Sequence, residues 1–244
     1  MPSTGGETMK FPANLWKQAG LAILITLTGT PTMALAAEKN DGALSGTITG
    51  NITATSTYVW RGLPQTADAA LQGGLNYSMP FGSMPFGLNV GAWTSNVAGG
   101  SELDVTVGFA GEAKGFSYDA GLIVYNYPQY EENLAGDYNF NELYASISKD
   151  MLTARLSVSA EAGNYIEINA NFEKLAAGLD LGLHFGSYDV DKDFDGLPGE
   201  DYSDYNVSLT TYVNDFGVSF TLSDTSLDND SYRTIITISK DFTP

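Results

Sequence analysis

Few side chains in this protein can do chemistry, and most of those share one parity of an alternating pattern. Arg61, Glu102, Asp104, Asp119, Arg155, Glu161, Glu167, Asp180 and His184 all fall on the polar side of period-2 segments, so one folded surface is expected to collect them. Carboxylates outnumber arginines in that set. If the surface encloses water, its field favours cations. If it is filled, the charges pair across it, with Arg61 and Arg155 the natural partners of the carboxylates.

A second candidate is "DVDKDFDG", residues 189–196. Asp191, Asp193, Asp195 and Gly196 reproduce the opening of a calcium loop, in which alternating carboxylates converge and glycine permits the turn. The closing bidentate glutamate would stand at position 202, which is Tyr202; Glu200 or Asp201 is the nearest substitute, and no helix pair flanks the segment. A solvated acidic loop is the alternative reading. The one histidine, His184 in "LGLHFG", lies between Leu183 and Phe185 of the apolar parity. It is expected to be a polar interior residue and not an acid–base group, and no nucleophile-elbow motif accompanies it. No catalytic residue is assigned.

The elements that would position these residues are strands. Residues 47–62, "TITGNITATSTYVWRG", set Ile48, Ile52, Ala54, Tyr58 and Trp60 against a threonine-rich face ending at Arg61. Comparable alternation recurs in segments of about ten residues, the length of a tilted membrane strand. It passes through Leu71–Met79, Phe86–Trp93, Glu102–Phe109, Phe116–Val124, Leu143–Ile147, Leu152–Val158, Ile166–Phe172, Leu179–Phe185, Tyr205–Leu209, Phe216–Leu222 and Ile236–Phe242. That gives about twelve strands, an even number, as bacterial single-chain barrels require.

Composition agrees. The 244 residues carry 29 acidic and 11 basic side chains, a net charge of −18, yet only 16% are charged. So few basic side chains do not suit duplex nucleic acid, whose phosphates must be neutralised. The absence of cysteine removes disulfides and thiolate metal sites.

Near the start, Lys10 and Lys17 precede "AGLAILITLTG", and "ALA" ends at Ala36. A basic region, a short apolar run and a small-x-small site predict a secretory signal peptide over residues 1–36, followed by a barrel over 37–244. Connections after odd-numbered strands are often long and acidic, those after even-numbered ones short, which predicts periplasmic turns, outer loops and both chain ends periplasmic. Two aromatic girdles are expected: Tyr77, Phe86, Phe109, Phe116, Phe172, Phe216 and Phe242 at the turn rim, and Tyr58, Trp60, Phe185, Tyr205 and Tyr232 at the loop rim. A soluble antiparallel sandwich would also alternate, but its water-facing side would be more highly charged.

Several stretches carry a resemblance: "YVWRG", "LQGGLNY", "GAWTSNV", "ELDVTVGFAG", "YDAGLIVYNYP" and "NELYASIS". Together they resemble the TorF-type porins of proteobacteria, over most of the chain after the leader. The resemblance implies an outer-membrane barrel that forms a pore, and brings no substrate and no catalytic residues.

The expectation is therefore an all-β, transmembrane, up-and-down antiparallel barrel of about twelve strands. It would be a Gram-negative outer-membrane porin passing small solutes by diffusion, with a cation preference. The alternative is a non-conducting barrel that binds partners through its acidic loops. Its partners would be outer-membrane lipid, the barrel assembly machinery and small solutes or cations, with calcium the one cofactor considered.

Overall fold

The structure, a computed structural model, describes residues 46–128, 138–194, 196–228 and 230–242. The proposed leader, residues 1–36, lies outside them, as does Asp195.

Twelve antiparallel strands close into a barrel. In chain order the wall consists of β1 (Thr47–Thr55), β4 (Ala70–Pro80), β5 (Phe86–Val97), β6 (Gly100–Ala113), β7 (Phe116–Asn126), β8 (Phe140–Lys149), β9 (Leu152–Ser159), β10 (Gly163–Phe172), β11 (Asp180–Val190), β12 (Tyr202–Val213), β13 (Phe216–Thr225) and β14 (Arg233–Phe242). Each strand pairs with its sequence neighbour in the wall, and β14 closes on β1 with Gly50 opposite Phe242. Among the described residues, the wall itself has no unpaired edge. Among the described residues no helix is long and apolar enough to cross a membrane; the strands do so.

Inside this wall lies a small hairpin, β2 (Val59–Trp60) paired with β3 (Leu63–Pro64). It belongs to the connection between β1 and β4.

Alternation dictates the wall because successive side chains point to opposite faces. Ile48, Leu75, Val107, Leu143, Ile166, Val207 and Ile238 stand exposed on the outside, whereas Thr53, Gln72, Asn89, Ser157 and Ser208 are buried inside. An apolar exterior with a polar interior inverts a soluble fold and suits lipid. Tight turns join strands at one end, here the turn end. Lys114–Gly115 and Asn214–Asp215 have positive φ at both positions, the mirror-image turn whose twist matches a hairpin. The other end, the loop end, carries the longer connections, although residues 98–99 and 160–162 are short there too.

Pairing register sets the dimensions. One circuit through the paired residues advances about 16 positions along the chain, which tilts the strands by about 45° and gives a backbone radius of about 12 Å. The same register brings the outward rings of Tyr77, Phe109, Phe172, Phe216 and Phe242 to within about two residues of one level, a girdle at the turn end. Phe185, Tyr205 and Tyr232 are exposed towards the loop end. Tyr58 and Trp60 do not join them: they are 1% and 7% exposed, packed inside the barrel. The alternation of residues 47–62 does not describe one straight strand, because the wall strand stops at Thr55 and the chain turns inward.

Candidate functional site

A barrel of about 12 Å radius is too wide for wall side chains alone to fill; about eight strands give an interior that they can. Among the described residues, the added material at the loop end includes the connection of residues 56–69, with Phe194, Leu197 and Leu227 of other loops packed against the same cluster. Ser56 N–H still reaches the wall at Ile236 O (2.9 Å), after which Tyr58 N–H donates to Thr66 Oγ1 (2.9 Å) and Gln65 N–H to Tyr58 O (2.7 Å). Arg61 and Gly62 form the tip, with φ of 47° and 79°. Positive φ at both positions is what a two-residue hairpin turn calls for, as at Lys114–Gly115. Gly62 is required twice over: its φ is positive, and a Cβ would lie 2.5 Å from Thr225 Cγ2 and 2.6 Å from Asp204 Cβ.

Contacts from several strands pin this tip. Arg61 O accepts from the Tyr202 hydroxyl (2.9 Å), and Gly62 O from Arg233 Nη1 (2.9 Å). The Arg61 guanidinium stands 4.4, 4.2 and 4.7 Å from the ring centres of Trp60, Tyr165 and Tyr188. Its Nη2 meets Glu142 Oε1 at 2.5 Å, and neither side chain is solvent-exposed. Glu142 also accepts from the Tyr125 hydroxyl (3.1 Å). Trp60 packs edge-on against Tyr125, Phe140 and Tyr188. On the opposite flank, Glu102 accepts from the hydroxyls of Tyr58 (2.8 Å) and Tyr127 (2.9 Å).

Outside the spanning strands, Asp230 anchors the hairpin through Arg233, with which it forms an ion pair. Partial burial works against the Asp230 charge, but hydrogen bonds from Arg233 and Thr225 outweigh it and hold the carboxyl below its ordinary value.

Deeper in the lumen, Asp204 accepts from the Tyr165 hydroxyl (2.8 Å) and stands 2.9 Å from His184 Nε2. His184 Nδ1 lies 2.8 Å from Asn169 Oδ1 and 3.8 Å from Glu167 Oε2. Nearby, the Tyr144 hydroxyl donates to Asp119 (3.1 Å), and Arg155 lies 4.2 Å over the Tyr144 ring with its Nε on Ser157 Oγ (3.2 Å). The turn-end half differs in kind. Inward positions there include Asn51, Gly91, Ser146, Thr153 and Ser219, all small or polar and only half-buried.

The structure brings Arg61, Glu102, Asp104, Asp119, Arg155, Glu167, Asp180 and His184 to the inner side. Glu161 departs from this set: it sits exposed in the turn of residues 160–162, its carboxylate on Ser159 Oγ (3.0 Å). Alternation breaks at a turn, so parity counted through it misplaces the side chain. Arg61 pairs with Glu142, and Glu102 is instead held by tyrosines. Glu142 and Asp204, which hold Arg61 and His184, were not among the expected residues. Each stands one position before the first apolar residue of its segment, Leu143 and Tyr205, and extending the alternation by one would have found both.

The acidic loop offers less. Asp193 N–H donates to Asp191 Oδ1 (3.0 Å) and Val190 N–H to Asp201 Oδ1 (3.2 Å), while Glu200 is exposed. Among the described residues no three carboxylate or imidazole groups converge as metal ligands.

Comparisons place the architecture. A membrane protein solved in a study of in-meso crystallization is similar over 81% of this chain and 83% of its own, at 9% identity and a TM-score of 0.57. The KdgM porin is similar over 80% of this chain and 99% of its own, at 13% identity and a TM-score of 0.50. At such identities the likeness shows the fold alone, that of Gram-negative outer-membrane barrels. No curated protein matches. Residues 39–243 match the bacterial family of unknown function named Gcw_chp, and the chain belongs to that family, carried on a porin-type outer-membrane barrel.

Proposed function

We propose that the protein is an outer-membrane channel of the TorF porin type, passing small solutes with a preference for cations, and that the hairpin of residues 56–69 holds it shut at rest. Residues 1–36 would direct export, and the turn end would face the periplasm.

The observation that carries this reading is the division of the lumen. The turn-end half is lined mostly by small polar side chains, Tyr212 being a large exception, and the loop-end half is closed by the hairpin together with loop residues such as Phe194 and not by the wall alone. A dry, filled interior would also leave polar groups unsatisfied at about 1–3 kcal/mol each. Inward atoms such as Gln72 Nε2, Asn89 Nδ2, Arg155 Nη1 and Asn206 Oδ1 make no protein hydrogen bond and are shut off from solvent; opening of the lumen to water would satisfy them. Inward carboxylates outnumber guanidinium groups, which sets the sign of the preference.

The tight closure at Arg61 and Glu142 favours a second reading, a non-conducting barrel that works through its acidic loops. Planar-bilayer recording of wild type beside a variant with residues 57–68 replaced by a short Gly-Ser turn separates the two. The channel reading expects rare, brief openings in wild type and sustained cation-selective steps in the variant. Silence from both correctly folded proteins would falsify it and leave the non-conducting barrel.

A further inference from the structure

The Arg61 guanidinium lies among three aromatic rings and against one buried carboxylate, and two of those rings and the carboxylate belong to the wall. Tyr165 comes from β10, Tyr188 from β11 and Glu142 from β8. Trp60 alone travels with the hairpin. Ring faces attract a planar cation and a single carboxylate fixes its orientation. This set suits a free guanidinium group as well as one borne on the chain. The backbone at Arg61 is left-handed because it is the first position of the two-residue turn with Gly62, so the hairpin presents the side chain to the wall at its tip. The arginine thus behaves as a tethered occupant of a site built by the wall.

We propose that Glu142, Tyr165 and Tyr188, with Tyr125 behind Glu142, form a binding site for small planar organic cations of the guanidinium class, and that Arg61 fills it as an internal competitor. The idea rests on the channel reading for its role, since a permeating cation would enter this site as Arg61 leaves it. The acidic residues around the loop end, among them Asp68, Asp189, Asp191 and Asp193, concentrate such cations at the mouth. Metal ions fit poorly, because two phenol rings and one carboxylate offer few oxygen ligands.

Chemical rescue tests the site without any need for conduction. Arg61→Ala, refolded in detergent, is heated with methylguanidinium chloride, and the temperature at which the compact gel band is lost is read against equal potassium chloride and tetramethylammonium chloride. Methylguanidinium at about ten times its dissociation constant should raise that temperature by about 3–5 °C. It should do nothing for wild type, whose site is full, and nothing for Arg61→Ala combined with Glu142→Gln. No shift, an equal shift with potassium, or a shift that survives Glu142→Gln overturns the proposal. Arg61→Gln, which keeps part of the stem, repeats the measurement if the alanine variant refolds poorly. Failure of both variants to refold even with methylguanidinium present also overturns it, because Arg61 would then be structural and not a replaceable ligand. A silent barrel that methylguanidinium stabilises keeps the site and sinks the channel; a conducting barrel indifferent to methylguanidinium does the reverse.

Discussion

Gly186 looks unremarkable in "HFGSYD", yet the polar network of the lumen depends on its lacking a side chain. It lies opposite Asp204 on β12 and Glu167 on β10. A Cβ at this position would sit 2.0 Å from the Tyr165 hydroxyl and 2.5 Å from Asp204 Oδ2, the two atoms whose hydrogen bond organises His184. Gly186→Ala must therefore push Tyr165 off Asp204 or move the wall. Overpacking costs about 1–3 kcal/mol, and an unpaired buried hydroxyl or carboxylate adds about 1–3 kcal/mol more. We expect Gly186→Ala to lower stability by about 2–4 kcal/mol in urea titration of the folded barrel. The control is Gly199→Ala, at an open loop position with no atom near its added Cβ, expected within about 0.5 kcal/mol of wild type. Equal losses at the two positions would refute the close-approach argument.

Among the elements, the hairpin is the one that the sequence conceals. Wall strands are legible because lipid and lumen impose opposite chemistry on alternate residues, and Ile48, Ile52 and Ala54 against Thr49, Asn51 and Thr53 state that directly. The same period continues through Tyr58 and Trp60, so parity assigns them to the lipid face. Nothing in a period-2 pattern tells a strand facing lipid from a hairpin packed against aromatic wall residues, since both bury apolar rings. The available signals are punctuation: Arg61–Gly62 as a tight turn, Pro64, which cannot serve a central strand, and the polar run of residues 65–69. The site was half legible for a related reason. Alternation gave the inward face of Glu102 and His184, whereas Arg61 is interior because the whole hairpin is, Tyr58 and Trp60 of the other parity included. Partners lie on strands distant in sequence, such as Glu142, and only the closed register brings them opposite. The register also predicts what removing the hairpin does. Thr55 already pairs with Ala70 across β1 and β4, so the wall closes without the excursion. Replacing residues 57–68 with a short turn should leave a heat-modifiable barrel, with a melting temperature lowered by several degrees through loss of the Trp60 and Arg61 contacts. Loss of heat modifiability would show that the hairpin nucleates the wall and does not merely fill it.

On the scale of the whole molecule, two populations of acid act on a passing ion, and salt separates them. The loop end carries Asp68, Asp189, Asp191, Asp193, Glu200, Asp201, Asp224 and Asp228, with Lys192 as a basic neighbour. These charges stand in water, and their reach shrinks with the Debye length, from about 10 Å at 0.1 M salt to about 3 Å at 1 M. The inward acids Glu102, Glu142 and Glu167 are sheltered by protein and screened far less. If the outer acids dominate, cation preference is a property of the mouth and salt erodes it; if the inner acids dominate, it belongs to the constriction and persists. With residues 57–68 replaced, however, Arg61, Tyr58 and Asp68 are gone. Glu142 loses its cationic partner, Glu102 keeps its charge because tyrosine hydroxyls are neutral, and the balance shifts to the inner acids. Reversal potentials of the hairpin-replaced protein, measured under tenfold potassium chloride gradients, should thus indicate a cation preference that largely persists from about 0.1 M to about 1 M. A preference eroded across that range would assign selectivity to the acids of the mouth, and an anion preference at either salt would contradict the electrostatic reading of the lumen altogether.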